Sequence, residues 1–136
     1  MKYAWAVLSL GLLLAAPSLV EAQQDAVRLD RNYPNPFNPA TTIPFSLDES
    51  VFDNGHRPRV SLRIYNVLAQ LVAVPILKGS GEVLENVQLT WNGTGRYEAF
   101  WDGKIRGSDR EAPSGVYVYQ LAVDGTVVTK RMTIVK

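Results

Sequence analysis

The stretch Asn32-Tyr33-Pro34-Asn35-Pro36-Phe37-Asn38-Pro39 decides how this chain is read. Each proline fixes its own φ and biases the residue before it away from the helical region. Asparagine side chains bond back to nearby backbone groups, and Asn-Pro steps start turns. The segment is therefore a stiff, aperiodic turn, and helix is excluded. Its aromatics, Tyr33 and Phe37, are expected to plug the open end of a β-sandwich, because rings on a rigid loop bury large apolar area at little entropic cost.

Strand signals lie on both sides of this turn. Val27 and Leu29 recur at period two in a short first strand. Thr41 to Leu47 alternates with Ile43, Phe45 and Leu47 on one face, and Pro44 makes that strand an edge or places its missing donor outward. Asp48 to Pro58 is polar, holds Asn54-Gly55 and reads as a loop. Val60 to Val67 is the cleanest alternating strand: Val60, Leu62 and Ile64 oppose Ser61, Arg63, Tyr65 and Val67. Leu71 to Leu77 is a more continuous apolar run interrupted by Pro75, which suits a strand that bends or leaves its sheet. Asn92-Gly93-Thr94-Gly95, between Leu89-Thr90-Trp91 and Tyr97 to Trp101, predicts a β-hairpin with an aromatic face. Trp101-Asp102-Gly103 opens a punctuated loop that ends at Pro113-Ser114-Gly115. Val116 to Leu121 and Thr126 to Val135 then flank Asp124-Gly125 as a terminal hairpin with a two-residue turn. Outside the N-terminal leader no helical period persists. The expected class is all-β, an antiparallel sandwich of about seven strands in two sheets.

The leader occupies residues 1–22. Lys2 is the only charge before Glu21, and Ala4 to Ala16 is apolar apart from Ser9 and Gly11, the layout of a secretory signal peptide with cleavage expected after Ala22. Tyr3 to Val20 is also 18 residues without a charge, the lower limit for a spanning helix, so an uncleaved membrane anchor through residues 3–20 is the alternative. In both readings Lys2 stays cytoplasmic and residues 23–136 lie beyond the membrane as one domain: in the periplasm, on the outer surface or in the medium.

Composition narrows the chemistry. The chain has 136 residues, with 14 basic and 13 acidic side chains, and this balance gives no electrostatic argument for nucleic acid. With no cysteine, disulfides, thiolate metal sites and cysteine nucleophiles are unavailable to it. The single histidine, His56, sits in a polar loop with no nucleophile motif nearby and is expected to be solvated. Asp102, Asp109 and Glu111 carry oxygens suited to Ca2+, but their spacing is not that of an EF-hand loop, and turn formation explains them. Asn92-Gly93-Thr94 matches a glycosylation acceptor, and a hairpin turn explains the same residues. No phosphate loop, nucleotide fingerprint or zinc spacing occurs. No cofactor is expected, and no enzyme activity. Trp91, Tyr97 and Trp101 are the candidate interaction surface, a platform for a sugar or a partner's side chain; core packing is the competing reading of the same rings.

Four blocks in order carry a family resemblance: Tyr33-Pro34-Asn35-Pro36-Phe37-Asn38-Pro39 followed by Thr41-Thr42-Ile43; Leu62-Arg63-Ile64-Tyr65-Asn66-Val67; Trp101-Asp102-Gly103; and Pro113-Ser114-Gly115-Val116-Tyr117-Val118-Tyr119-Gln120-Leu121. Together with the basic, β-branched end Lys130 to Lys136, residues 32–136 resemble the C-terminal sorting-domain family of type IX secretion cargo and the related Ig-like module of flagellar hook-capping proteins. The resemblance implies an Ig-like sandwich that works outside the cytoplasmic membrane in docking, sorting or attachment. Here the leader runs almost directly into the domain, with no cargo, and the stretch from Val72 to Trp101 is longer than the family's connection. The function expected is a non-catalytic exported module that attaches to a protein of the envelope, of a membrane complex or of the secretion machinery. Two alternatives stand beside it: an anchored accessory subunit on the outer face of a membrane complex, and a carbohydrate-binding module built on the aromatic hairpin.

Overall fold

Alternation builds the strands. Ile43, Phe45 and Leu47 turn inward from one strand and Val60, Leu62 and Ile64 from another, and all six are buried in one shared core. The computed structural model describes residues 26–136; the expected leader, residues 1–22, lies outside them, as do residues 23–25 of the expected domain. Among the described residues there are nine strands: β1 (Val27–Leu29), β2 (Thr41–Leu47), β3 (Arg59–Tyr65), β4 (Leu71–Ala73), β5 (Ile76–Leu77), β6 (Val87–Gln88), β7 (Arg96–Trp101), β8 (Gly115–Val123) and β9 (Thr126–Ile134). The smaller sheet runs β1-β2-β7-β5 and the larger β4-β3-β8-β9, with β6 sharing the edge of β3 that β4 also uses. All these pairings are antiparallel.

Nine strands stand where about seven are expected, in part because the run Leu71–Leu77 divides. Its first half pairs with β3 in the larger sheet and its second with β7 in the smaller, so the chain changes sheet at Pro75, where a ladder donor is missing anyway. The terminal hairpin forms as its Asp124-Gly125 signal predicts: Val123 pairs with Thr126, and both turn residues take positive φ.

Pro44 is not at an edge, since β2 is paired on both sides. Its carbonyl accepts the Asp30 N–H at 3.0 Å. Proline has no N–H to return that bond, and the Asp30 carbonyl instead accepts the hydroxyl of Tyr119, from the opposite sheet, at 2.9 Å.

The hairpin expected between Leu89 and Trp101 does not form. Both edges of β7 are already taken, by β2 and by β5 with Lys78, whose N–H reaches the Glu98 carbonyl. Residues Val87 and Gln88 pair with β3, and the Leu89 N–H goes to the Pro58 carbonyl. Asp48 to Pro58 is more ordered than a plain loop: Glu49–Gly55 winds into short 3-10 turns broken at Asp53 and Asn54, capped by Asp48. Phe52 from these turns is buried edge-on against Trp91, ring centroids 5.5 Å apart.

The Pro/Asn turn closes one end of the core with one ring, not two. Phe37 is buried and meets Trp101 edge-on at 5.6 Å, and Trp101 meets Tyr117 at 5.9 Å. Tyr33 is 51% exposed, with its hydroxyl bonded to the Glu98 carboxylate. Three peptide bonds in the turn are cis: Tyr33-Pro34, Asn35-Pro36 and Asn38-Pro39. The turn is bolted to β9, because the Phe37 N–H donates to the Thr133 carbonyl, the Phe37 carbonyl accepts from the Val135 N–H, and Asn35 Oδ1 accepts from the Thr133 N–H. Gly103 lets the Asp102 loop pass beneath it: φ is +83°, and a Cβ there would lie 2.0 Å from the Pro39 oxygen.

Candidate functional site

The aromatics singled out in the sequence are distributed through the structure. Trp101, Ala99 and Tyr97 alternate inward along β7 and are buried. Trp101 closes the Phe37 end, its indole N–H donating to the Lys104 carbonyl at 3.0 Å. Tyr97 stacks on Phe45 at 5.4 Å, and its hydroxyl donates to the Thr90 carbonyl at 2.8 Å. Burial pushes the Tyr97 and Tyr117 hydroxyls above their ordinary pKa. Of the three candidates only Trp91 keeps substantial exposure, 36%. Nearby, Asn92 spends its amide on the local turn: Oδ1 accepts from the Thr94 and Gly95 N–H groups and Nδ2 donates to the Arg96 carbonyl. A glycan on that nitrogen would compete with the last bond.

The remaining motif residues bind the ends of the domain together. Asp102 Oδ1 accepts the Lys104 N–H, the Tyr117 hydroxyl donates to the Pro113 carbonyl, and Ser114 Oγ accepts the Lys136 N–H. Lys136 also pairs with Glu111 and holds its carboxyl below the ordinary range, through the hydrogen bond first and charge second. Among the described residues no three His, Cys, Asp or Glu side chains converge in a metal-binding group. His56, which ends the Glu49–Gly55 turns, meets Asp124 of the β8–β9 turn at 2.7 Å rather than neighbouring Asp53, and both are partly exposed. Partial burial acts to raise the Asp124 carboxyl, but the Arg59 N–H, then the His56 hydrogen bond and charge, outweigh it and hold the carboxyl low.

A different surface has the features of a binding site. Between β3 and β4 the chain turns at Asn66, whose Oδ1 accepts the Leu68 and Gln70 N–H groups at 3.0 Å each, while Nδ2 donates to Gln70 Oε1 at 2.8 Å. Backbone bonds from Asn66 to Gln70 and from Ala69 to Asn66 complete the turn, and Ala69 adopts φ +60°. Side chains inside so closely bonded a turn cannot fold back, and Val67 and Leu68 stand 73% and 74% exposed. Beside them is a hollow of about 320 Å³ lined by Tyr65, Asn66, Val67, Ala69, Val118 and Gln120. Tyr65 and Val118 are cross-strand partners there, and exposed Val116 extends the apolar ground along β8. Single exposed aliphatics are ordinary on a surface, whereas a contiguous group around a concavity marks a contact site. Its lining is Tyr65, the aliphatic Val67, Ala69 and Val118, and the amides of Asn66 and Gln120, with no carboxylate, histidine or lysine, and what it offers is chiefly apolar burial. The alternation in the sequence carries the strand on to Val67, on the face opposite Val60, Leu62 and Ile64, whereas β3 ends at Tyr65 and Val67 lies in the turn; the adjoining Leu68 and the tight turn itself carry no signal in that alternation.

Among the described residues no helix is long and apolar enough to cross a membrane. No family model matches the chain, and no curated protein matches it in sequence. Among solved structures the chain is similar to PorZ, an essential bacterial surface component of the type IX secretion system of Porphyromonas gingivalis, at 20% identity and a TM-score of 0.46, over 88% of this chain and 13% of that one. It is also similar to the alkylpurine DNA glycosylase AlkC of Pseudomonas fluorescens bound to DNA containing an abasic site analogue, at 16% identity and a TM-score of 0.38, over 82% of this chain and 31% of the glycosylase.

Proposed function

We propose that this protein is a non-catalytic, exported module with an Ig-like β-sandwich fold, attaching to another protein at the cell envelope or surface. The observation that carries this reading is the Asn66-held turn, which presents Val67 and Leu68 beside an apolar hollow on the larger sheet. Two aliphatic side chains in fixed positions bury area on a partner without paying to be ordered first. The leader and the four sequence blocks support export and a sorting-domain-like role. Retention of residues 3–20 makes the protein an anchored accessory subunit instead, and N-terminal sequencing decides between the two, since a start at Gln23 removes the anchor. Trp91 is the remaining candidate for a sugar contact, because it alone of the three candidate aromatics keeps substantial exposure.

Site-specific photo-cross-linking in the native host tests the attachment surface. A photo-reactive phenylalanine analogue in place of Leu68 is expected to give a discrete cross-linked protein, absent when the analogue replaces Lys78 on the smaller sheet and lost on adding Val67→Asp. Equal products from both positions, or none from position 68, would refute this surface.

A further inference from the structure

The long edge of the larger sheet is half sealed and half open. β9 spans nine residues and is paired to β8 along its whole length. On its other side, the main-chain groups of Thr133 and Val135 are engaged by Asn35 and Phe37. In a strand the N–H and C=O of one residue point to the same side, and alternate residues point the same way. Arg131, Thr129 and Val127 therefore aim their main-chain groups outward along the same edge, and among the described residues none of these groups has a hydrogen-bond partner. That leaves three donors and three acceptors in register, ending where the Pro/Asn turn begins. An unpaired row of this kind is a template for another strand.

The charge on the edge selects what fits it. Thr126 to Ile134 contains Lys130 and Arg131 and no acid, while the exposed pair Asp30 and Arg31, which follows β1 alongside β9, is neutral overall. Lys130 occupies an interior-facing position in line with Val128, Met132 and Ile134 and is only half-buried. An inward charge at an edge discourages apolar strands. A second copy of β9 would set more cations against these, whereas carboxylates would be matched. We propose that the open half of β9 accepts an extended acidic segment of a partner protein as an added antiparallel strand, with Val127, Thr129 and Arg131 supplying the main-chain bonds. This surface is separate from the Val67–Leu68 turn, so the inference goes beyond the attachment reading and stands or falls without it.

The test is an amide-resolved titration of the full chain in mild detergent, using a blocked eight-residue peptide of alternating valine and glutamate and its valine–lysine counterpart. The expected result is saturable binding of the glutamate peptide alone, with new exchange protection at Val127, Thr129 and Arg131. Thr129→Pro deletes one outward donor without touching the β8 ladder and is expected to weaken binding at least tenfold, whereas Thr129→Ala keeps the donor and the affinity. Lys130→Glu combined with Arg131→Glu is expected to reverse the peptide preference, and Val67→Asp to leave it unchanged. Equal affinity for both peptides, or for Thr129→Pro and Thr129→Ala, overturns the proposal. So does protection of these three amides before any peptide is added, which assigns the edge to residues 1–25 if independent of concentration and to a second copy if dependent on it.

Discussion

The Tyr119 hydroxyl serves the Asp30 carbonyl that an N–H at position 44 would have served. It donates to the Asp30 carbonyl at 2.9 Å and accepts the Asn32 N–H at 3.2 Å, reaching from the larger sheet into the β1–β2 ladder of the smaller. One buried side chain thus completes a sheet that proline left short of a donor and fixes the start of the Pro/Asn turn. Tyr119→Phe strands both groups and is expected to cost about 1–3 kcal/mol. Pro44→Val returns an N–H facing Asp30, so it should recover part of that loss when combined with Tyr119→Phe while destabilising the native protein. Chemical denaturation of the four proteins in a double-mutant cycle checks this, and additive effects would show that the two positions do not share the carbonyl.

Phe37 and Tyr33 separate packing from surface chemistry. Phe37→Ala removes a buried ring touching Trp101 and is expected to cost about 3–5 kcal/mol, with the Leu68 cross-link unaffected. Tyr33→Phe removes only an exposed hydroxyl bond to Glu98 and should leave the melting temperature within a degree or two. A stable Phe37→Ala protein that loses its partner would move this turn from scaffold to interface.

Gly103 and Gly107 share a positive φ but not a neighbourhood. Alanine at position 107 meets open space and carries only the left-handed backbone penalty, about 1–2 kcal/mol. At position 103 the added methyl would drive into the Pro39 oxygen, so Gly103→Ala should be the more destabilising of the two by a clear margin in thermal melts.

Stability should fall at both ends of the pH scale. Asp48, Glu111 and Asp124 are held below their ordinary values of 3.8, 4.5 and 3.8. Groups lowered on folding contribute stability above the unfolded pKa and lose it as pH falls through the folded one, so the melting temperature should be level near neutrality and drop below about pH 4. Asp124→Asn should flatten part of that drop. Tyr97, Tyr117 and Tyr119 are raised above 10.0, chiefly by burial, and the sign reverses: their contribution is complete below pH 10.0 and is lost as pH climbs through the folded values. Absorbance titration should show these three ionising late, together with unfolding.

The long strands were legible because period-two burial is written in consecutive residues, as in Val60, Leu62 and Ile64. The change of sheet at Pro75 was legible for a related reason, since a missing donor is a property of one residue. Asn92 to Gly95 misled because a turn signal is local, whereas the partners of β7 come from residues 41–46 and 76–77, far away in sequence. The turn Asn32 to Pro39 has no period, so nothing in it states which ring faces inward, and only Phe37 does. The exposed turn at Asn66 was the least legible. A binding surface needs no fixed residue types at fixed spacing, and the positive φ of Ala69 has no glycine to announce it.

The join between Phe37 and the last strand has a mechanical consequence. Phe37 and Ile134 are bridged in the parallel sense, with two hydrogen bonds straddling them. Tension applied between the chain before Phe37 and the chain after Ile134 pulls the two segments past each other, so both bonds and the Asn35 contact are loaded together in shear. Peeling would break them one at a time. The seal over the core is at the same time a clasp.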